Sequence, residues 1–252
     1  MAKSADRDII ALMDIAAEVL RAAQELRDEV APLRFLGPVT HVYNPLAYAF
    51  APYAAYVRRF GATAKKVVFL GMNPGPYGMV QTGVPFGEVA AVAGWLKISA
   101  PVGKPVPEHP RRRVDGFSCR RSEVSGRRLW GAIAERFGSP ENFFARYFVA
   151  NYCPLAFLEA SGRNRTPDKL PADERDPLFA ACDRHLRRLV VALQAERVIG
   201  VGAFAAARAA SALSGTAART GRVLHPSPAS PKANRDWAAA AAAELRAIGL
   251  CS

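Results

Sequence analysis

Apolar positions along the chain fall into long runs at helical spacing, alternating with short continuous runs that stop at glycine, asparagine or proline. From Asp8 to Val30, the residues Leu12, Ile15, Ala16, Val19, Leu20, Ala23 and Leu26 recur with a helical period. This predicts an amphipathic helix over about 6–31, closed by Pro32 and serving as core cover. Val67-Val68-Phe69-Leu70 is a short apolar run halted by Gly71-Met72-Asn73-Pro74-Gly75-Pro76, the pattern of a buried, parallel strand ending in a rigid loop. A helix is expected over Val89–Ile98, carrying Trp95, and another through Trp130 and Ile133 to Phe137, stopped by Gly138. Ser139-Pro140-Glu141 opens a short helix with serine as cap and proline at its first position. Tyr147–Ala150 reads as a second strand, Asp176-Pro177 to Gln194 as a long helix, 197–202 as a third strand and Ala203–Leu213 as its helix. Arg222-Val223-Leu224 is a short fourth strand, and Trp237–Ile248 a last helix ended by Gly249. Strands alternating with helices, without repeat or linker, predict one layered α/β domain over 1–252.

Composition narrows the partner. The 252 residues are half hydrophobic, and 34 Lys+Arg against 22 Asp+Glu give a net charge of +12. Such an excess attracts polyanions, of which nucleic acid is the commonest soluble one. The polar start carries no secretory pattern, and no run of about 18 apolar residues suggests a membrane span. Cys119, Cys153, Cys182 and Cys251 are dispersed without a C-x-x-C pair, as expected of reduced thiols in an intracellular protein more than of a zinc site or disulfides, with a four-cysteine iron–sulfur cluster as the alternative these spacings support weakly. No cofactor is expected.

Charge and strand ends locate the candidate chemistry. In open α/β sheets ligands bind beyond the carboxyl ends of strands. The first strand's end offers Asn73, two glycines, and then Gln81, Thr82, Phe86 and Glu88; the second ends in Asn151-Tyr152-Cys153-Pro154. From Lys104 to Arg128 eight basic residues stand against three acidic ones in a loop-like stretch beside this site, which favours phosphate contact. Arg127 and Arg128 fall near the start of a helix, where backbone amides also suit a phosphate. The tyrosines 43, 48, 53 and 56 suit packing better than base stacking, and His185 suits a structural role. Gly200-x-Gly202 lacks the third glycine and the acidic residue of a dinucleotide fingerprint, so that reading is rejected.

Gly71-Met72-Asn73-Pro74-Gly75-Pro76 with Gln81-Thr82-Gly83-Val84-Pro85-Phe86-Gly87-Glu88 resembles the first motif of the single-strand-selective monofunctional uracil-DNA glycosylases. His225-Pro226-Ser227-Pro228, followed by Pro231-Lys232-Ala233-Asn234 and a helix with an early tryptophan, is similar to the same family's intercalating loop. Between them, Arg121-Ser122-Glu123-Val124-Ser125-Gly126, Asn151-x-Cys153-Pro154-Leu155 and Ser161-Gly162-Arg163-Asn164 also look like that family. The resemblance implies a three-layer uracil-DNA glycosylase fold with a central four-stranded parallel sheet. It implies a monomeric DNA repair enzyme that acts on uracil in single-stranded and duplex DNA, in the cytoplasm or nucleoid of a bacterium or the nucleus of a eukaryote.

Residue roles follow from that resemblance and from side-chain chemistry. Phe86 offers a π-face to a flipped pyrimidine, with Met72 beside the same pocket. Asn151 can meet both the carbonyl and the N3–H of uracil, a pattern cytosine reverses. His225 can donate to O2 of the departing base. Asn73 stands where many relatives place aspartate; unable to take a proton, it can only orient water, which implies a strongly dissociative mechanism. Glu88 suits a structural role at the start of its helix. Gly75 stands where some relatives carry a bulky aromatic beside C5, so open room is expected there for 5-hydroxymethyluracil and related bases. Ser227, Pro228, Ala229 and Lys232, with Arg127 and Arg128, are the expected DNA contacts. Ala229 departs from the arginine that better-known members use as a wedge. Two other readings are a mismatch-specific uracil or xanthine glycosylase, whose second motif lacks His225-Pro226-Ser227-Pro228, and a non-catalytic single-strand-binding protein on the same fold.

Overall fold

The computed structural model describes residues 14–250. Its centre is a four-stranded parallel sheet in the order Tyr147–Asn151 (β3), Val67–Gly71 (β2), Arg197–Val201 (β6), Arg219–Val223 (β7). The strand order places the two longest apolar runs side by side, and Gly71 lies opposite Asn151 in the register. The pairing does not stop with the strands: Tyr152 N donates to Gly71 O and Cys153 N to Met72 O, both at 2.9 Å. The two loops that carry candidate asparagines are therefore zipped together at the sheet's carboxyl edge.

Helices cover both faces. Helix α1 (Ile15–Val30) is capped by the Asp14 carboxylate on Ala17 N and buries Val19, Ala23, Leu26 and Val30. The expected residues 6–13 of this helix, with Leu12, lie outside the described residues. Its partner is the long helix Ala172–Ala192, which starts a turn before the expected Asp176-Pro177. Asp173 and Glu174 occupy that first turn, where the helix dipole favours negative charge. His185 is 7% exposed between the two helices, its Nδ1 3.2 Å from Ala22 O. Burial lowers its pKa to about 4.

Several elements depart from the hydrophobic pattern for identifiable reasons. The fourth strand begins at Arg219, because an edge strand with an exposed face tolerates Arg219-Thr220-Gly221-Arg222. The expected helix over Val89–Ile98 starts at Val89 as expected but ends at Trp95, its last five residues, Ala91–Trp95, wound as a π-turn. A second, antiparallel sheet joins Val39–Tyr43 (β1), Ala156–Glu159 (β4) and Asn164–Arg165 (β5); β5 is two residues long and β4 buries three successive side chains, so neither shows a period-two signal. The final helix begins at Pro231, six residues before Trp237, and Asp236 breaks it with φ −161° and ψ 94°. The tyrosines pack: Tyr48 and Tyr56 donate their hydroxyls to Val80 O and Val149 O, and Tyr43 donates to Arg112 O. No helix among the described residues is long and apolar enough to cross a membrane.

Candidate active site

Two glycines bring the candidate side chains together. A Cβ built on Gly71 would overlap the Asn151 amide oxygen and come within 2.6 Å of the Phe86 ring. The end of β2 is thus bare so that an amide and an aromatic face can meet above it. Gly202, with φ +97°, does the same for His225, whose Cβ and Cδ2 lie 3.1 and 3.4 Å from where its side chain would be. The imidazole and the Phe86 ring have centroids 6.2 Å apart. Phe86, Asn151 and His225, from three separate stretches of chain, so meet at the sheet's carboxyl edge, where a recess for a ligand would lie between them.

Phe86 is held there against its backbone preference. Its φ of +52° is rare for a bulky residue and is paid for by local contacts. Trp130 Nε1 donates to Phe86 O at 3.0 Å and Glu88 N donates to the same oxygen at 2.7 Å. Phe86 is 8% exposed, so its ring is pinned among its neighbours. Trp130, a residue the sequence marks only as helix core, is therefore part of the apparatus that aims Phe86.

The amides are oriented by their own bonds. Asn73 donates Nδ2 to Leu155 O at 3.1 Å, which turns its oxygen away as an acceptor. Asn151 Nδ2 leans on Met79 Sδ at 3.2 Å, a weak acceptor that leaves a second N–H to offer. Met72, between the end of β2 and Asn73, is half-buried. His225 is half-buried, and desolvation lowers its pKa below the usual histidine value, so the ring is neutral at pH 7.

Glu88 caps the turn after it, accepting from Ala91 N at 2.9 Å, in keeping with a structural role. The open room expected beside Gly75 is filled. A Cβ there would overlap Glu123 Oε1, because the Glu123 side chain turns under the loop instead of capping its own helix, Val124–Phe137. Burial and the charge of Glu88 raise the Glu123 carboxyl to about 7.

The basic segment is tied onto this loop by one buried side chain. Gln81, 1% exposed, accepts from Asp115 N and Gly116 N and donates to Pro76 O and Arg113 O. Arg112 bonds Tyr77 Oη and Gly162 O at 2.6 Å, and Arg121 stacks 4.3 Å over the Tyr77 ring. Arg111, Arg113, Arg120, Arg121 and Arg127 are exposed. Arg128 is engaged within the protein: it donates to Pro226 O, Ser227 O and Asn234 Oδ1. Asn234 in turn donates to Pro228 O at 2.8 Å. The 226–230 loop is thereby braced, with Pro228 and Ala229 exposed at its tip, while Lys232 pairs with Glu244 at 3.3 Å. Among the described residues, no three His, Cys, Asp or Glu side chains gather as metal ligands would.

Three comparisons bear on this arrangement. The family model for the uracil DNA glycosylase superfamily matches residues 58–246. The chain is 48% identical over 238 residues to the single-strand selective monofunctional uracil DNA glycosylase of Mus musculus, covering 94% of this chain and 85% of that protein. The Bos taurus protein of the same description matches at 48% over 94% of this chain and 88% of its own length. Among solved structures, wild-type SMUG2 of Pedobacter heparinus superposes with a TM-score of 0.69 at 17% identity, covering 94% of this chain and 99% of that one, a likeness of fold alone.

Proposed function

The chain belongs to the uracil DNA glycosylase superfamily, and from that premise we propose that the recess receives a uracil flipped out of DNA and hydrolyses its N-glycosidic bond, leaving an abasic site. The observation that carries this is the convergence of Phe86, Asn151 and His225 over the side-chain-free Gly71 and Gly202. The flipped ring stacks on Phe86. Asn151 donates to O4 and accepts from N3–H. Cytosine, with a donor at position 4 and a bare acceptor at N3, would leave both sides of this pair unmatched.

Bond breaking leaves negative charge on the base. His225, neutral at pH 7, donates a hydrogen bond to O2 as that charge develops, without first having to lose a competing proton. The Asn73 oxygen, turned away from Leu155, orients the water that captures the sugar cation. An amide cannot accept that water's proton, so cleavage runs ahead of water attack. Water is the only co-reactant in this scheme, and no cofactor or metal takes part.

DNA is held by charge and shape. The exposed arginines 111, 113, 120, 121 and 127, with Lys232, meet phosphates. Arg128 acts indirectly, by stiffening the loop that offers Ser227, Pro228 and Ala229 to the gap the base vacates. A small tip offsets little of the few kcal/mol spent in unstacking, so the enzyme works best on single strands and weakened pairs. It acts as a monomer.

The direct test is release of free uracil from a uracil-containing single strand. His225→Ala should keep DNA affinity and lower single-turnover cleavage by about 10²–10³. A protein that binds the strand and releases no base is instead a binding module, and an unchanged rate in the variant removes His225 from the mechanism.

A further inference from the structure

A buried carboxylate without a partner is costly, and where one persists beside a ligand recess the ligand is the natural candidate to complete it. Glu123 is such a group. It stands at the N-cap of the helix Val124–Phe137, yet makes no capping bond. Its side chain runs instead into a cradle made by three glycines. A Cβ on Gly75 would overlap Oε1, one on Gly78 would overlap Oε2, and one on Gly126 would lie 3.0 Å from Oε2. Oε2 is sealed from solvent and has no hydrogen-bond partner among the described residues. Glu88 is the charge that acts on it. The other charged or titratable groups on the surrounding elements turn elsewhere: Arg127 toward Ser122, and Tyr77 toward Arg112 and Arg121.

The position of this carboxyl relative to the base follows from the proposed function, on which this inference rests. With O2 on His225 and the N3–O4 edge on Asn151, the remaining edge, C5–C6, faces the remaining wall, the loop from Asn73 to Gly78. Glu123 Oε1 occupies the direction that a side chain at Gly75 would take from that wall.

We propose that Glu123 is the residue that reads the substituent at C5 of the flipped pyrimidine, admitting hydrogen, accepting a hydrogen bond from a hydroxyl-bearing group such as 5-hydroxymethyl, and rejecting the methyl of thymine. A hydroxymethyl group supplies the donor the carboxyl lacks. A methyl group fills the same space, offers no donor, and shields the carboxyl from any water that would otherwise serve. Discrimination by a polar group left unpaired is much sharper than discrimination by size alone. The specificity thus comes from a glutamate some 48 positions downstream of the glycine beside it, and not from empty space at that glycine.

The test uses single-stranded oligonucleotides carrying uracil, 5-hydroxymethyluracil or thymine, under single-turnover conditions. In Glu123→Leu, cleavage of each modified base is read as a ratio to uracil cleavage, so that any general loss cancels. The ratio of hydroxymethyluracil to uracil cleavage should fall by at least about 10-fold, and the ratio of thymine to uracil should rise by a similar factor. Glu123→Gln keeps the shape and an acceptor oxygen but cannot ionise. It should retain hydroxymethyluracil cleavage and lose the rise in the hydroxymethyluracil-to-uracil ratio that the natural enzyme shows as pH climbs through about 7. This second variant decides the matter if the leucine variant fails to fold. Equal losses on all three bases, an unchanged ranking, or the same pH slope in the glutamine variant overturn the assignment. A natural protein that releases no uracil would instead overturn the proposed function, so the two failures are distinct.

Discussion

Replacing Gly71 by alanine adds one methyl group at the point where the base pocket is tightest. The backbone itself allows the change, since Gly71 is absent from the glycines with positive φ. The methyl is the whole perturbation. It would overlap Asn151 Oδ1 and stand 2.6 Å from Phe86 Cε2, where ordinary contact begins at 3.4 Å. Phe86 would need to retreat by roughly 0.8 Å. It cannot do so freely, because its left-handed backbone is clamped by Trp130 and Glu88 through one carbonyl. The Asn151 amide must therefore rotate, leaving Met79 and its pose toward N3–H and O4. A displacement of about 1 Å in a reacting group costs on the order of 10²-fold in rate, and overpacking by one methyl costs about 1–3 kcal/mol of stability. The expected result is a folded protein whose single-turnover uracil excision is about 10²-fold slower, with urea unfolding showing only the smaller loss. A rate within about 3-fold of the natural protein, with the fold intact, would mean that Asn151 and Phe86 do not form the wall that holds the base.

Two further outcomes are expected. Ala229→Arg places a planar, long side chain at the tip of a loop already braced by Arg128 and Asn234. It should speed cleavage of a matched U·A duplex by about 10-fold while single-strand cleavage stays within about 2-fold; equal responses would show that another residue enters the helix. His185 is buried with its pKa lowered to about 4, against about 6.5 when unfolded, so the unfolded chain binds the proton more readily. Its contribution is full above pH 6.5 and is lost as pH falls toward 4, by about 3 kcal/mol. Urea unfolding at pH 7 and pH 4.5 should show a smaller acid loss in His185→Leu than in the natural protein, and identical slopes would remove His185 from the account.

The sequence alone determines what is local or strongly patterned. Four apolar residues stopped by breakers are enough to place β2, because a strand buried on both faces needs no alternation to be seen. The same holds for the asparagines at two strand ends and for the basic stretch before Arg128, whose residue types announce themselves. Polarity hides an exposed edge strand such as Arg219–Val223, and shortness hides the small antiparallel sheet. Juxtaposition is decided only in three dimensions. Nothing in the order of residues says that the Trp130 indole fixes the backbone of Phe86, or that Gly202, easily mistaken for half of a nucleotide fingerprint, is bare to admit His225. Nor does it say that Arg128, one of a run of cations, spends its charge on carbonyls of the loop beside it. Gly75 carries the same lesson. A glycine in a sequence reads as open space, but whether space exists depends on what the rest of the chain puts there, and here packing places the Glu123 carboxyl in it.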